Sequence, residues 1–124
     1  MTRFNIDNAS PIPAYQQVKQ SILLEVMSGR LADGDRLPSI RELAKILKLN
    51  PNTVAKAYYS LEDEAVIKGQ RGSGYLVKCQ KTKLDNLKQG ILEDDFKSFL
   101  AKAFSLGFNK KDIENLMRRL LSND

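Results

Sequence analysis

The side chains best placed for chemistry in this 124-residue chain are amides and cations, not acid–base pairs or nucleophiles. Asn52 and Lys56 stand four apart, one turn of a helix. A side-chain amide can pair bidentately with the edge of adenine, and an ammonium one turn later reaches guanine or a phosphate. Arg41 and Lys45 repeat that spacing on the preceding segment, and Arg71-Gly72-Ser73 places a cation in a glycine-rich turn. Catalysis has no comparable set. Histidine is absent, Cys79 is the only cysteine, and neither paired carboxylates across a predicted cleft nor a phosphate-cradling strand-loop-helix can be read. No metal, no cofactor and no enzymatic activity are therefore expected.

Charge agrees with an anionic partner. Twenty Lys/Arg stand against fifteen Asp/Glu, a net of +5. Residues 36–81 alone carry nine Lys/Arg and four Asp/Glu, so the whole excess is concentrated there. A lone cysteine cannot form an intrachain disulfide and suits a reducing cytoplasm. No apolar run approaches the roughly 18 residues of a membrane span. Met1 to Ser10 lacks the pattern of a signal peptide. A soluble cytoplasmic protein without membrane contact is expected.

These residues need elements to hold them. Tyr15, Val18, Ile22 and Val26 recur at helical spacing between Pro13 and Met27, with Pro13 in the first turn and Gly29 as the stop. Arg30 to Leu37 reads as a turn. Ser39 and Glu42 form a capping box for a second helix with the apolar stripe Ile40, Leu43, Ala44 and Leu47. Arg41, Lys45 and Lys48 take the opposite stripe. After a break at Lys48–Asn50, Asn50 caps a third helix running to Glu64, with Pro51 in its first position. Its core side carries Val54, Ala57, Tyr58, Leu61 and Ala65, and its outer side Asn52, Ala55, Lys56 and Tyr59. Val66–Lys68 and Tyr75–Lys78 read as strands joined by Gly69–Gly74. Thr82 and Asp85 predict a cap for a long helix with the stripe Leu92, Phe96, Phe99, Leu100 and Ala103. Asn109 and Asp112 predict another cap, before a helix faced by Ile113, Leu116, Met117, Leu120 and Leu121.

Two short helices about a tight turn suit DNA: the second fits the major groove, about 12 Å wide, while the first braces on the backbone. Arg41 and Lys45 would then position the protein, Asn52 and Lys56 would read bases, and Arg71 with Gly72 and Ser73 would enter the minor groove. Each feature alone has a plainer reading, as a solvated helix face, a cap or a hairpin turn. Their order together favours DNA. A winged helix serving as a protein-interaction adaptor is the alternative; a neutral or acidic outer face would favour it.

The segments Gly29-Arg-Leu, Gly34-Asp-Arg-Leu-Pro-Ser-Ile-Arg-Glu-Leu-Ala44, Asn52-Thr-Val-Ala-Lys-Ala-Tyr58 and Gly72-Ser-Gly-Tyr-Leu-Val77 resemble the DNA-binding domain of the GntR family over roughly residues 10 to 78. The resemblance implies DNA contacts by Arg36, Ser39, Arg41, Asn50, Asn52, Thr53, Lys56 and the wing around Gly72. Two positions depart from the family pattern: Ala65 stands where glycine usually precedes the wing, and Pro51 takes a recognition-helix position that can carry a contacting side chain. After Lys81 only 43 residues remain, similar to the YtrA-type subgroup, whose short helical tail dimerises. The expected fold is mainly α with a small β-hairpin: a winged helix-turn-helix over 1–81 and a two-helix dimerisation hairpin over 82–124. In that hairpin Leu92, Phe96, Phe99, Leu100, Phe104, Leu116 and Leu120 would meet a second subunit, or pack back onto the first helix. A homodimer would set two recognition helices about 34 Å apart on an inverted repeat, with repression the default outcome.

Overall fold

A computed structural model of the chain describes residues 4–72 and 74–123. Its elements run α1 (Ala14–Met27), α2 (Ile40–Leu47), α3 (Pro51–Asp63), β1 (Ile67–Gln70), β2 (Gly74–Val77), α4 (Lys81–Ser105) and α5 (Lys110–Ser122). The chain forms two compact units, Met1–Leu84 and Asp85–Asp124.

In the first unit α3 is the hub, packing against α1, α2 and β1. Its core side is Val54, Ala57, Tyr58 and Leu61, fully buried with Val18 and Ile22 of α1, Leu43 of α2, and Val66 and Val77 flanking the hairpin core. At about 25 cal/mol per Å² of apolar area, such burial is the main force holding three short helices together. The local signals fall where side-chain chemistry dictates. Ser39 and Glu42 make both bonds of the capping box. The Asn50 side chain accepts from the Asn52 amide at 2.8 Å, with Pro51 in the first turn.

The hairpin pairs Ile67 with Val77 and Gln70 with Gly74, so β1 reaches two residues beyond the expected Lys68. The segment read as a mere turn also pairs. Leu37 N–H donates to the Tyr75 carbonyl, Val77 N–H to Asp35, and Gly34 N–H to Val77, each within 2.9 Å. The wing is thereby fastened along both edges of β2. A side chain at Gly69 would be crowded, since a Cβ there would lie 3.2 Å from Glu62 Oε2 and 3.3 Å from the Tyr75 ring, and both side chains would have to give by a few tenths of an ångström.

Three expectations change. Pro13 is the cap of α1 and stands outside its first turn. Thr82 lies inside α4, whose first turn is already closed by Leu84 N–H on the Gln80 carbonyl, so the Thr82–Asp85 cap does not form. Ala65 leaves the core side of α3. It sits exposed just past the helix end in the left-handed region, φ +60.

There Val66 N–H reaches the Leu61 carbonyl and Ala65 N–H the Glu62 carbonyl, both at 2.9 Å. That is the Schellman ending, which glycine normally supplies. Left-handed alanine costs about 1–2 kcal/mol, part of which a glycine would return as unfolded-chain entropy. Ala65→Gly is therefore expected to stabilise the protein by about 0.5–1 kcal/mol, read as a higher urea midpoint at unchanged slope.

In the second unit the Asn109–Asp112 capping box forms as expected. Among its described residues only Ala103 and Ile113 are buried. The two helices leave an open groove of about 630 Å³, lined by Phe99, Leu106, Phe108, Leu116, Lys102 and Arg119 among others. No helix among the described residues is long and apolar enough to cross a membrane.

Candidate nucleic-acid interface

The outer side of α3 presents Asn52, Lys56 and Tyr59 to solvent, with Thr53 and Ala55 half-buried beside them. The Asn50 side chain holds the Asn52 backbone amide; separately, the Asn52 side chain makes no hydrogen bond among the described residues and is free for a base edge. Lys56 has a partner that sequence spacing did not show. Its Nζ lies 4.0 Å from the centroid of the Tyr15 ring at the start of α1. Such a cation–π contact is worth about 0.5–1 kcal/mol at an exposed site and leaves the full charge in place.

Arg41 and Lys45 are exposed on α2, as expected for cations meeting a phosphate backbone. Lys48 occupies the turn between α2 and α3 with φ 58, and the Leu49 N–H behind it bonds the Ala44 carbonyl at 2.9 Å. Arg36 is exposed, and its backbone bridges Leu76 of the wing. Arg71 and Gly72 form the exposed wing tip, Gly72 with φ +79. Ser73 lies outside the described residues.

Ser39 and Asn50 have structural duties. Ser39 N–H donates to Glu42 Oε1 and Glu42 N–H to the Ser39 hydroxyl, both at 3.0 Å. The Ser39 backbone N–H, and then its hydroxyl, hold the Glu42 carboxyl below the usual carboxylate range. This support is present above that ordinary range and is lost as pH falls through the lowered value.

Two of the three acids at the far end of α3, Glu62 and Glu64, are occupied on other partners. Glu64 pairs with Lys19 of α1 and its carbonyl accepts from Lys83. Glu62 Oε2 takes the Gly69 amide at 3.0 Å, steadying the wing. Tyr58 does not face outward at all. Its hydroxyl donates to the Pro38 carbonyl at 2.6 Å and its ring meets Tyr75 edge-on at 5.0 Å. Burial, then the Glu42 and Tyr75 charges, push its ionisation far above the ordinary phenol range. Burial likewise pushes the Cys79 thiol up, which suits a structural cysteine. Among the described residues no cluster of His, Cys, Asp or Glu could hold a metal ion.

In the tail unit Leu92, Phe96, Phe99, Phe104 and Leu120 are exposed, while Leu100 and Leu116 are half-buried. Phe96 and Phe99 stack at 6.0 Å. Leu106, Phe108, Met117 and Leu121 extend the exposed apolar surface beyond the residues expected from the stripes.

This arrangement is shared with known proteins. The chain matches the gntR family of bacterial regulatory proteins over residues 14–77. It is 35% identical over 116 residues to the HTH-type transcriptional repressor YtrA of Bacillus subtilis, covering 93% of this chain and 89% of that protein. A GntR family transcriptional regulator from Listeria monocytogenes superposes with a TM-score of 0.80 at 32% identity, over 92% of this chain and 98% of the other. YtrA from Sulfolobus acidocaldarius, a GntR-family transcription factor, superposes with a TM-score of 0.61 at 37% identity, over 77% and 98%. With a buried three-helix core, an outward-facing α3 and a fastened wing, the chain belongs to the gntR family and is a DNA-binding transcriptional regulator, not an enzyme.

Proposed function

We propose that this regulator is a cytoplasmic repressor that binds an inverted-repeat operator as a homodimer. Residues 1–81 form the DNA-binding domain and 82–124 the dimerisation tail. The observation that carries DNA reading is the outer side of α3: Asn52, Lys56 and Tyr59 are exposed while its acids are confined to the far end, where Glu62 and Glu64 are engaged. In this reading α3 lies in the major groove and Asn52 and Lys56 meet bases. Arg36, Arg41, Lys45, Thr53 and Tyr59 hold the backbone, Arg71 with Gly72 and Ser73 follows the minor groove, and Ser39 through its hydroxyl proton and Asn50 through its side-chain NH2 meet phosphates while their oxygens cap the two helices. Repression is supported by the likeness to YtrA of Bacillus subtilis, itself a repressor.

The dimer rests on the tail. A hairpin that buries only Ala103 and Ile113 by itself, and exposes five phenylalanine and leucine side chains of its predicted seam, gains by meeting a second copy. Phe99→Asp is expected to shift the protein to a monomer in sedimentation at micromolar concentration, with the helical signal retained. A persisting dimer would remove the tail from this role.

Selection of bound fragments from a random duplex pool, followed by footprinting, tests the whole reading. A two-fold symmetric footprint is expected, and a single half-site would contradict the dimer. On the selected duplex, Asn52→Ala should lower affinity tenfold or more and relax discrimination at one position per half-site, at about 1–3 kcal/mol per base contact. Arg41→Ala should weaken matched and scrambled duplexes alike. Equal behaviour of the two variants would contradict the division of roles.

A further inference from the structure

We infer that Tyr15 is a positioning residue for DNA recognition, acting through Lys56. The inference rests on the proposed placement of α3 in the groove and adds to it a residue from α1, an element not assigned to the interface. Lysine carries much rotamer freedom, and ordering it on DNA is a cost of binding. Here the Lys56 ammonium already sits 4.0 Å from the Tyr15 ring centroid, on the outer side of α3. The ring is itself held. Tyr15 is half-buried in the first turn of α1, and Gln16 Nε2 donates to its hydroxyl at 3.2 Å. The α1 and α3 helices pack directly, so the ring and the ammonium come from elements fixed to each other. A ring face attracts the cation without neutralising it, unlike a carboxylate. The charge therefore stays available to a phosphate or a guanine while its conformers are restricted. The other cations of the interface, Arg36, Arg41, Lys45, Lys48 and Arg71, have no such aromatic support among the described residues.

The test is a double-mutant cycle on the full chain with the selected duplex, together with urea midpoints for every variant. Lys56→Ala should lower affinity. Tyr15→Leu should lower it about fivefold at an unchanged midpoint, and Tyr15→Phe, which keeps the ring, should bind as the parent does. In the Lys56→Ala background, Tyr15→Leu should cost nothing further. Three outcomes would overturn the inference: full affinity in Tyr15→Leu, tighter binding in Tyr15→Leu, or the same loss with and without Lys56. A Lys56→Ala variant binding like the parent would also overturn it, while leaving DNA reading by Asn52 intact. Failure of the parent to bind any selected duplex would instead remove the underlying reading of α3.

Discussion

Tyr58→Ala is expected to destabilise the protein by about 3–5 kcal/mol, as large-to-small core changes at aromatic positions do. Tyr58 is the largest of the fully buried side chains. It joins α3 to the segment before α2 through the 2.6 Å bond to Pro38, and to the wing through Tyr75. Removing it opens a cavity at the hub and leaves the part-buried Pro38 carbonyl without its donor. Against a typical total of about 5–15 kcal/mol, the loss leaves a large unfolded fraction at moderate urea. Tyr58→Phe isolates the hydroxyl and should cost about 1 kcal/mol. Circular dichroism during urea unfolding measures both; an alanine variant within about 1 kcal/mol of the parent would mean the ring is not core.

The same residue sets the alkaline limit. Because burial raises its ionisation in the folded state, the neutral phenol stabilises the fold fully below pH 10, and that stability is lost as pH rises towards the folded value. The slope for one such group is at most about 1.4 kcal/mol per pH unit, and Tyr58→Phe should flatten it.

Operator affinity is expected to fall at least a thousandfold between 50 and 200 mM salt, the loss expected of a single winged unit. Arg36, Arg41, Lys45, Lys48, Lys56 and Arg71 are all exposed around α2, α3 and the wing. If each neutralises one phosphate and releases its counterion, the logarithmic slope is about −5 per winged unit. A dimer would be steeper. Fluorescence anisotropy with the selected duplex across a salt series reads this directly, and a slope shallower than about −2 would leave most of these cations unused on DNA.

What could be read from sequence was mostly what is local. The Ser39–Glu42 and Asn109–Asp112 boxes, the Asn50–Pro51 start and the core side of α3 as far as Leu61 depend on spacings of three or four residues, and they fold as read, while Ala65, past the helix end, does not. The Thr82–Asp85 pattern has the same spacing and fails, because Lys81 already continues the helix from Gln80. What could not be read is what distance in the chain conceals. Lys19 meets Glu64 across 45 positions, and the Cys79 amide finds Asp33 Oδ1 at 3.1 Å across 46. Lys56 finds an aromatic ring on another helix. The residues of the interface were legible by type, but which were free and which engaged was not: Ser39 and Asn50 are caps, and Lys56 is held.

The Tyr58–Tyr75 contact gives the protein an optical label of its own. There is no tryptophan, and only four tyrosines supply the longest-wavelength ultraviolet absorption. Two of them meet edge to face at 81° across the junction of α3 and β2. Their fixed, asymmetric environment should dominate near-ultraviolet dichroism. Any event that lifts the wing from the recognition helix would then be visible in unlabelled protein, at wavelengths where Phe96 and Phe99 of the tail contribute little.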